Sequence, residues 1–374
     1  MTTRPPAEIG MLLDDVDTPA LLVDLDAFER NLQKMARGIE SHGICLRPHA
    51  KTHKCAVIAE RQMALGAVGV CCQKVSEAEA LVQAGVPDVL ISNEVVGRSK
   101  LDRLAALSRQ ARLAVCVDNA GNVRELNAAA ARFDTTLEVM VELNVGANRC
   151  GVATSEAVLE LARQLKAAAH LRFAGLQAYQ GRAQHVRAYE ERRAAIDAAT
   201  IQVRETLALL ESHDIHGQVV AGAGTGSWEF EAASGVYNEL QAGSYIFMDA
   251  DYAKNLNADG NRIDEFEHSL FVYATVMSAP EPHRVVVDAG LKSMAFDSGM
   301  PSVAGSETIR YAGPSDEHGN LDLSESNERL ALGDKLRLIP GHCDPTVNLY
   351  DWFVGVRAGR VEALWPIVAR GALW

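Results

Sequence analysis

Short apolar runs rich in β-formers recur along the first two thirds of the chain, with amphipathic stretches between them. The runs cover 45–51, 68–73, 89–93, 113–119, 137–145, 173–179, 218–224 and 240–249. Most successive starts lie roughly 20–25 residues apart, the length of one strand, one helix and two loops. The intervening segments, for example 75–84, 119–133, 155–168 and 189–213, are rich in Ala, Leu, Glu and Arg and carry apolar positions at helical spacing. Eight such units with no topological break predict an α/β fold, a closed parallel (β/α)8 TIM-type barrel over 20–265, in preference to an open doubly wound sheet.

After about residue 265 the pattern changes. The runs 270–277, 284–289, 306–311, 335–339 and 352–365 read as strands, separated by turn-formers such as Ala279-Pro280, Glu317-His318-Gly319-Asn320 and Ala358-Gly359. Long helical segments disappear. A second, mainly antiparallel β domain is expected over 266–374, joined by a strand within 20–26, so that residues 1–26 belong with it.

Composition narrows the function classes. Of 374 residues, 48% are apolar and 23% charged, which excludes a disordered chain. The 36 basic against 49 acidic residues give a net charge of −13 with no Lys/Arg run, which argues against nucleic-acid or anionic-membrane partners. No apolar stretch reaches the roughly 18 residues a membrane span needs, and the first residues lack a secretory core, so a cytoplasmic protein is expected. The seven cysteines form no CxxC pair, and five read as small core hydrophobes rather than a disulfide or zinc framework.

Three segments could carry chemistry. Arg47-Pro48-His49-Ala50-Lys51-Thr52-His53-Lys54 closes the first barrel strand, at the face where such barrels place active sites. A lysine in that partly dry mouth is expected to have its ammonium form disfavoured, which suits Schiff-base formation. Gly222-Ala223-Gly224-Thr225-Gly226-Ser227 follows the seventh strand and Gly243-Ser244-Tyr245 lies on the eighth; the ends of these two strands are where backbone N–H and hydroxyl donors commonly bind phosphate. In Gly341-His342-Cys343-Asp344-Pro345-Thr346, read as extended, His342 and Asp344 face one side and could share a metal while Cys343 points away. A polar turn before Pro345 is the competing reading there.

Together with Thr18-Pro19-Ala20, Cys71-Cys72-Gln73-Lys74-Val75-Ser76-Glu77-Ala78-Glu79, Arg149-Cys150-Gly151-Val152 and Leu176-Gln177-Ala178-Tyr179, these motifs resemble the D-threonine aldolase group, from about residue 15 to the C-terminus. That group includes 3-hydroxy-D-aspartate aldolases and, more distantly, D-serine dehydratases, on an alanine racemase-like pyridoxal phosphate (PLP) fold. The resemblance implies that Lys51 carries PLP, that Gln73 and Tyr179 contact it, and that Arg149 sits near its ring nitrogen. It assigns the phosphate to Gly224, Thr225, Gly226, Gly243, Ser244 and Tyr245. His342 and Asp344 match ligands of a divalent metal, with Mn2+, Mg2+ or Co2+ expected ahead of Zn2+ because a carboxylate replaces a thiolate. His185 matches a histidine near the metal and is the expected base. The implied activity is a PLP- and metal-dependent aldolase, a carbon–carbon lyase that cleaves small D-3-hydroxy amino acids to glycine and an aldehyde. Within the family the runner-up is a dehydratase, and outside it a non-catalytic PLP carrier, which lacks the β domain. Arg182 is a candidate cation for a substrate β-carboxylate. A homodimer is expected, with the loop Asp316-Glu317-His318-Gly319 contributing to the other subunit's barrel mouth.

Overall fold

The structure, a computed structural model, describes residues 4–374; residues 1–3 of the N-terminal arm lie outside the described residues. Strands Cys45–Leu46, Val70–Cys72, Asp88–Glu94, Arg112–Val117, Leu137–Glu142, Leu171–Gln177, Val219–Gly222 and Glu239–Leu240 run parallel in one sheet, and the first lies beside the last. A parallel bridge between His49 and Cys71 joins the first strand to the second and closes the ring. Inside it, Cys71, Leu90, Cys116, Met140 and Ala221 pack as a plug, so the barrel is a filled core with a mouth at one end.

Helices cover the outside. The first, Leu25–His42, buries Leu25, Phe28, Leu32, Met35 and Ile39, positions three and four apart that form one stripe. The Asp24 carboxylate accepts the Asp26 and Ala27 N–H groups at its start, and Gly43 in the left-handed region (φ 65°) ends it. Asn119 and Thr154 cap Ala120–Arg132 and Ser155–Ala167 in the same way.

Nine strands make the second sheet, in the order Arg284–Val287, Gly319–Asp322, Arg310–Pro314, Ser302–Val303, Lys335–Ile339, Leu270–Glu281, Ala20–Asp24, Trp352–Arg357, Arg360–Pro366. Leu270–Glu281 also pairs with Arg284–Val287, which curls the sheet back on itself. The sheet is antiparallel except where Ala20–Asp24 lies parallel to Trp352–Arg357.

Several predicted runs differ from the elements observed. The run 45–51 is a regular strand only over Cys45–Leu46 and keeps isolated ladder contacts as far as His49, because Pro48 has no N–H to donate and the chain then enters a 3-10 turn, Ala50–Thr52. The run 240–249 is a regular strand only at its start, in Glu239–Leu240, with ladder hydrogen bonds ending at Ala242; its later apolar residues are buried between layers instead, with Phe247 against Phe28 and Phe353. The run 306–311 is displaced to Arg310–Pro314, since Ser306 Oγ accepts from the Thr308 and Ile309 N–H groups and forms a turn. Gly319 and Asn320, read as turn, belong to a strand, and the turn falls at Ser315–His318. All seven cysteines are free thiols, five of them buried. Among the described residues no helix is long and apolar enough to cross a membrane.

Candidate active site

The barrel mouth opens on a cavity of about 370 Å³. Lys51 reaches it from the 3-10 turn after the first strand, a turn started by His49 Nδ1 accepting the Lys51 N–H at 3.4 Å. Its Nζ lies 3.5 Å from Asp344 Oδ2. Burial works against the Lys51 ammonium, but the Asp344 carboxylate and Tyr179 outweigh it and hold the lysine above its usual pKa. The expectation of a disfavoured ammonium is therefore corrected: the compensating carboxylate comes from the other end of the chain.

Next to the lysine, the Gln73 amide lies 2.8 Å from His49 Nε2 and donates to Ser92 Oγ at 3.1 Å. Burial, with Lys51 and Arg149 nearby, holds His49 well below the usual histidine pKa, so the ring is neutral. The Arg149 guanidinium lies 5.7 Å over the Tyr179 ring. Beyond it, burial and the neighbouring Glu94 push Glu142 up to about 8.

At the far end, Gly224, Thr225, Gly243 and Ser244 line the wall. A Cβ on Gly243 would lie 2.6 Å from Thr52 Oγ1 and 2.9 Å from the His49 carbonyl, so only glycine brings the backbone this close. Thr225 Oγ1 is buried without a hydrogen-bond partner, a polar atom that a bound phosphate would satisfy. Two expected residues are elsewhere. Gly226 donates its N–H to Gln184 Oε1 at 2.9 Å and packs under the loop. Tyr245 points away from the mouth, its hydroxyl accepting from Gln62 at 3.1 Å and its ring against Phe266, because the chain turns at Ser244–Ile246 instead of continuing as a strand.

His342 and Asp344 face the cavity from the β domain, with Nε2 and Oδ2 4.0 Å apart. The segment is not extended as expected: only His342 is, and Cys343–Val347 form a short helix with Pro345 in its first turn, where a missing N–H costs nothing. The Cys343 thiol still points away, buried beneath the Met248 carbonyl at 3.4 Å. Asp297 Oδ2 holds His342 Nδ1 at 2.8 Å, leaving Nε2 directed to the cavity. Asp344 Oδ1 is buried and unpartnered. No group of three His, Cys, Asp or Glu that could hold a metal occurs among the described residues. A cation at this pair would complete its shell with water and substrate.

His185 lies on the 3-10 turn Gly181–His185, its Nδ1 2.7 Å from Asp251 Oδ2 and its ring stacked on Tyr252 at 5.9 Å. Asp251 also pairs with Arg187. Burial works against its charge, but the His185 and Arg187 bonds hold the carboxylate below its usual pKa. Asp251, Tyr252 and Asp297 escaped the sequence reading. The Asp249-Ala250-Asp251-Tyr252 cluster, at the end of the last apolar run of the barrel, was the available signal for the first two.

An alanine racemase-like barrel and β domain define the protein class, and comparison with known proteins narrows it. The family model "Alanine racemase, N-terminal domain" matches residues 23–251, and "Putative serine dehydratase domain" matches 269–356. The chain is 50% identical to a 3-hydroxy-D-aspartate aldolase of Paracoccus denitrificans (strain Pd 1222), over 98% of this chain and 95% of the relative. It is also 50% identical to a D-threonine aldolase of an Arthrobacter species, over 98% and 96%. The crystal structure of D-threonine aldolase from Filomicrobium marinum superposes with a TM-score of 0.97 at 51% identity, covering both chains fully. Relatives named as dehydratases are 25% identical or less. The chain belongs to the family of 3-hydroxy-D-aspartate and D-threonine aldolases, lyases that depend on PLP.

Proposed function

We propose that this chain is a PLP- and divalent-metal-dependent aldolase that cleaves D-3-hydroxy amino acids to glycine and an aldehyde. The observation that carries the reading is the meeting, in one cavity, of Lys51 with Asp344, His342 and His185.

The residues suit both groups. Lys51 would hold PLP through Nζ, Thr225, Gly243 and Ser244 would hold its phosphate, Arg149 would face the ring nitrogen, and Gln73 and Tyr179 would line the ring. A guanidinium cannot release its proton, so Arg149 would leave that nitrogen unprotonated. PLP, when bound, supplies an acceptor for the electron pair left at Cα when the Cα–Cβ bond breaks. His342 and Asp344 would hold a divalent cation, Mn2+, Mg2+ or Co2+ ahead of Zn2+, whose charge makes a nearby hydroxyl more acidic.

The chain's own groups do the rest. Asp251 accepts from His185 Nδ1 and so presents Nε2 as the base for the substrate's β-hydroxyl proton. Asp297 plays the same orienting part for His342. Lys54 is not an alternative to Lys51, since its Nζ is buried against Glu77 at 2.5 Å.

We also assign the barrel to 20–265 and the β domain to 266–374 with residues 1–26. We assign a cytoplasmic homodimer as the working form; for the dimer we point to Leu291, 48% exposed, whose N–H binds the Ser315 carbonyl beside the loop Asp316-Glu317-His318-Gly319.

The test is product analysis with the PLP- and Mn2+-loaded enzyme. D-threonine or a 3-hydroxyaspartate isomer should release glycine with acetaldehyde or glyoxylate; oxaloacetate in place of glycine would make it a dehydratase. Borohydride reduction and peptide mapping should place the cofactor label on Lys51, and a label on Lys54 or Lys292 would overturn the site.

A further inference from the structure

The cations of the cavity wall are spoken for, with one exception. Lys51 faces Asp344 at 3.5 Å, His185 holds Asp251 at 2.7 Å, His342 holds Asp297 at 2.8 Å, and Arg149 lies over the Tyr179 ring. Arg182 is an exposed residue that lines the same cavity, and its guanidinium has no hydrogen bond, ion pair or ring contact among the described residues. Of the two arginines that line the cavity, Arg149 is engaged with the Tyr179 ring, and Arg182 keeps its guanidinium open to a ligand.

The backbone beneath it is fixed. Gln180 Oε1 accepts the Arg182 N–H at 3.3 Å, and the Gln180 amide donates to the Val145 carbonyl at 2.7 Å. Gln184 donates to Ser227 Oγ at 2.6 Å, and its own carbonyl accepts from Asn255 at 3.0 Å. The root of Arg182 is therefore held while its head is free. Arg182 and His185 also share the 3-10 turn Gly181–His185 at positions i and i+3, which eclipse one another in this helix type. Both leave the turn on one side and both reach the cavity. His185 is the base assigned to the β-hydroxyl, so a neighbour on its face meets the other substituents of the β-carbon.

We propose that Arg182 recognises a carboxylate on the substrate's β-carbon, which makes this enzyme selective for 3-hydroxy-D-aspartate over D-threonine. The proposal rests on the aldolase reading and adds the substrate class, which similarity does not choose, since relatives of both names are 50% identical. The planar guanidinium fork matches a carboxylate through two parallel hydrogen bonds. In the reaction the Cα–Cβ bond breaks, the β-hydroxyl proton leaves to the base, and Cβ becomes the aldehyde carbon of glyoxylate. The electron pair stays on the Cα side, and a proton added there completes glycine.

The experiment compares holoenzyme, Arg182→Met and Arg182→Lys by two readouts. In kinetics, Arg182→Met should lower kcat/KM for 3-hydroxy-D-aspartate at least tenfold more than for D-threonine, mainly through KM, and Arg182→Lys should recover part of the loss. In calorimetry, with D-aspartate and D-2-aminobutyrate as ligands that lack the β-hydroxyl, Arg182→Met should weaken D-aspartate at least tenfold more than D-2-aminobutyrate. Equal losses for the two ligands, or unaltered D-aspartate affinity, would overturn the proposal. Wild-type enzyme that cleaves D-threonine but not 3-hydroxy-D-aspartate would also overturn it and leave the aldolase reading standing. If wild-type enzyme cleaves neither, the aldolase reading falls, and the calorimetric pair still decides whether Arg182 binds a β-carboxylate.

Discussion

Lys51 Nζ lies 3.5 Å from Asp344 Oδ2, so the lysine at the end of the first barrel strand and the carboxylate of the β-domain motif neutralise each other across the cavity. Asp344 Oδ1, buried and unpartnered, is left for another cation. Hard oxygen and a single imidazole hold a divalent ion loosely when water fills the remaining positions. EDTA should therefore abolish cleavage while PLP stays bound, as read by its absorbance, and Mn2+ should restore turnover. Asp344→Ala should imitate EDTA and resist rescue. Cys343→Ala should keep its metal response but lose about 1–2 kcal/mol of stability, because the thiol is packed in the core. Full activity after exhaustive chelation would end the metal assignment.

His185 depends on Asp251 for orientation, and the two can be separated. His185→Ala should lower kcat by about 10²–10⁴, the usual contribution of a positioned base. Asp251→Asn keeps the shape but loses the negative charge beside His185, so a smaller fall in kcat is expected, with KM nearly constant. Since Asp251 also pairs with Arg187, thermal unfolding of Asp251→Asn must be compared with that of Arg187→Met. An equal kcat loss in both variants would mean that Asp251 only holds the loop together.

The barrel was legible because its periodicity is local: each strand–helix unit repeats within a short stretch of chain. The site was legible where a motif carries its own geometry, as in the turn around Lys51 or the glycines at 224 and 243. What stayed hidden depends on partners remote in sequence. Asp251 meets His185 from 66 positions away, and Asp297 meets His342 from 45. The apolar stretch from Tyr245 to Met248 looks like a strand because an apolar run does not say what buries it. Here Phe28 and Phe353 do so, not sheet neighbours, and Tyr245 is carried away from the cofactor cavity as a result.

Arg47 belongs to the motif that carries Lys51, yet its task is structural. It is buried, donating to Asp88 at 2.6 Å and Glu239 at 2.9 Å, and both acids are the first residues of their strands. Asp88 keeps Arg112 at 3.2 Å if Arg47 is lost, but Glu239 has no other ion pair among the described residues. Arg47→Leu should cost about 3–5 kcal/mol through that stranded charge, and adding Glu239→Gln should recover part of it. Denaturant unfolding would measure both. A double variant no more stable than Arg47→Leu would show that packing, not charge, sets the cost.

Glu231 gives the fold a pH dependence that can be isolated. Its side chain is buried; Oε1 accepts from Ser227 Oγ at 3.0 Å and Oε2 has no partner. Burial pushes its carboxyl up to about 8 from 4.5, with the Ser227 bond opposing. Between those values the folded chain holds a proton that the unfolded chain has released, so stability falls as pH rises, by ~1.4 kcal/mol per pH unit from this group. Below pH 4.5 both states are protonated and no loss occurs. Glu231→Gln keeps an oxygen for Ser227 and removes the titration. Its Tm should therefore be close to that of the parent at pH 4.5–5 and several degrees higher at pH 8. A Tm difference that does not change across this range would show that Glu231 stays ionised in the folded protein.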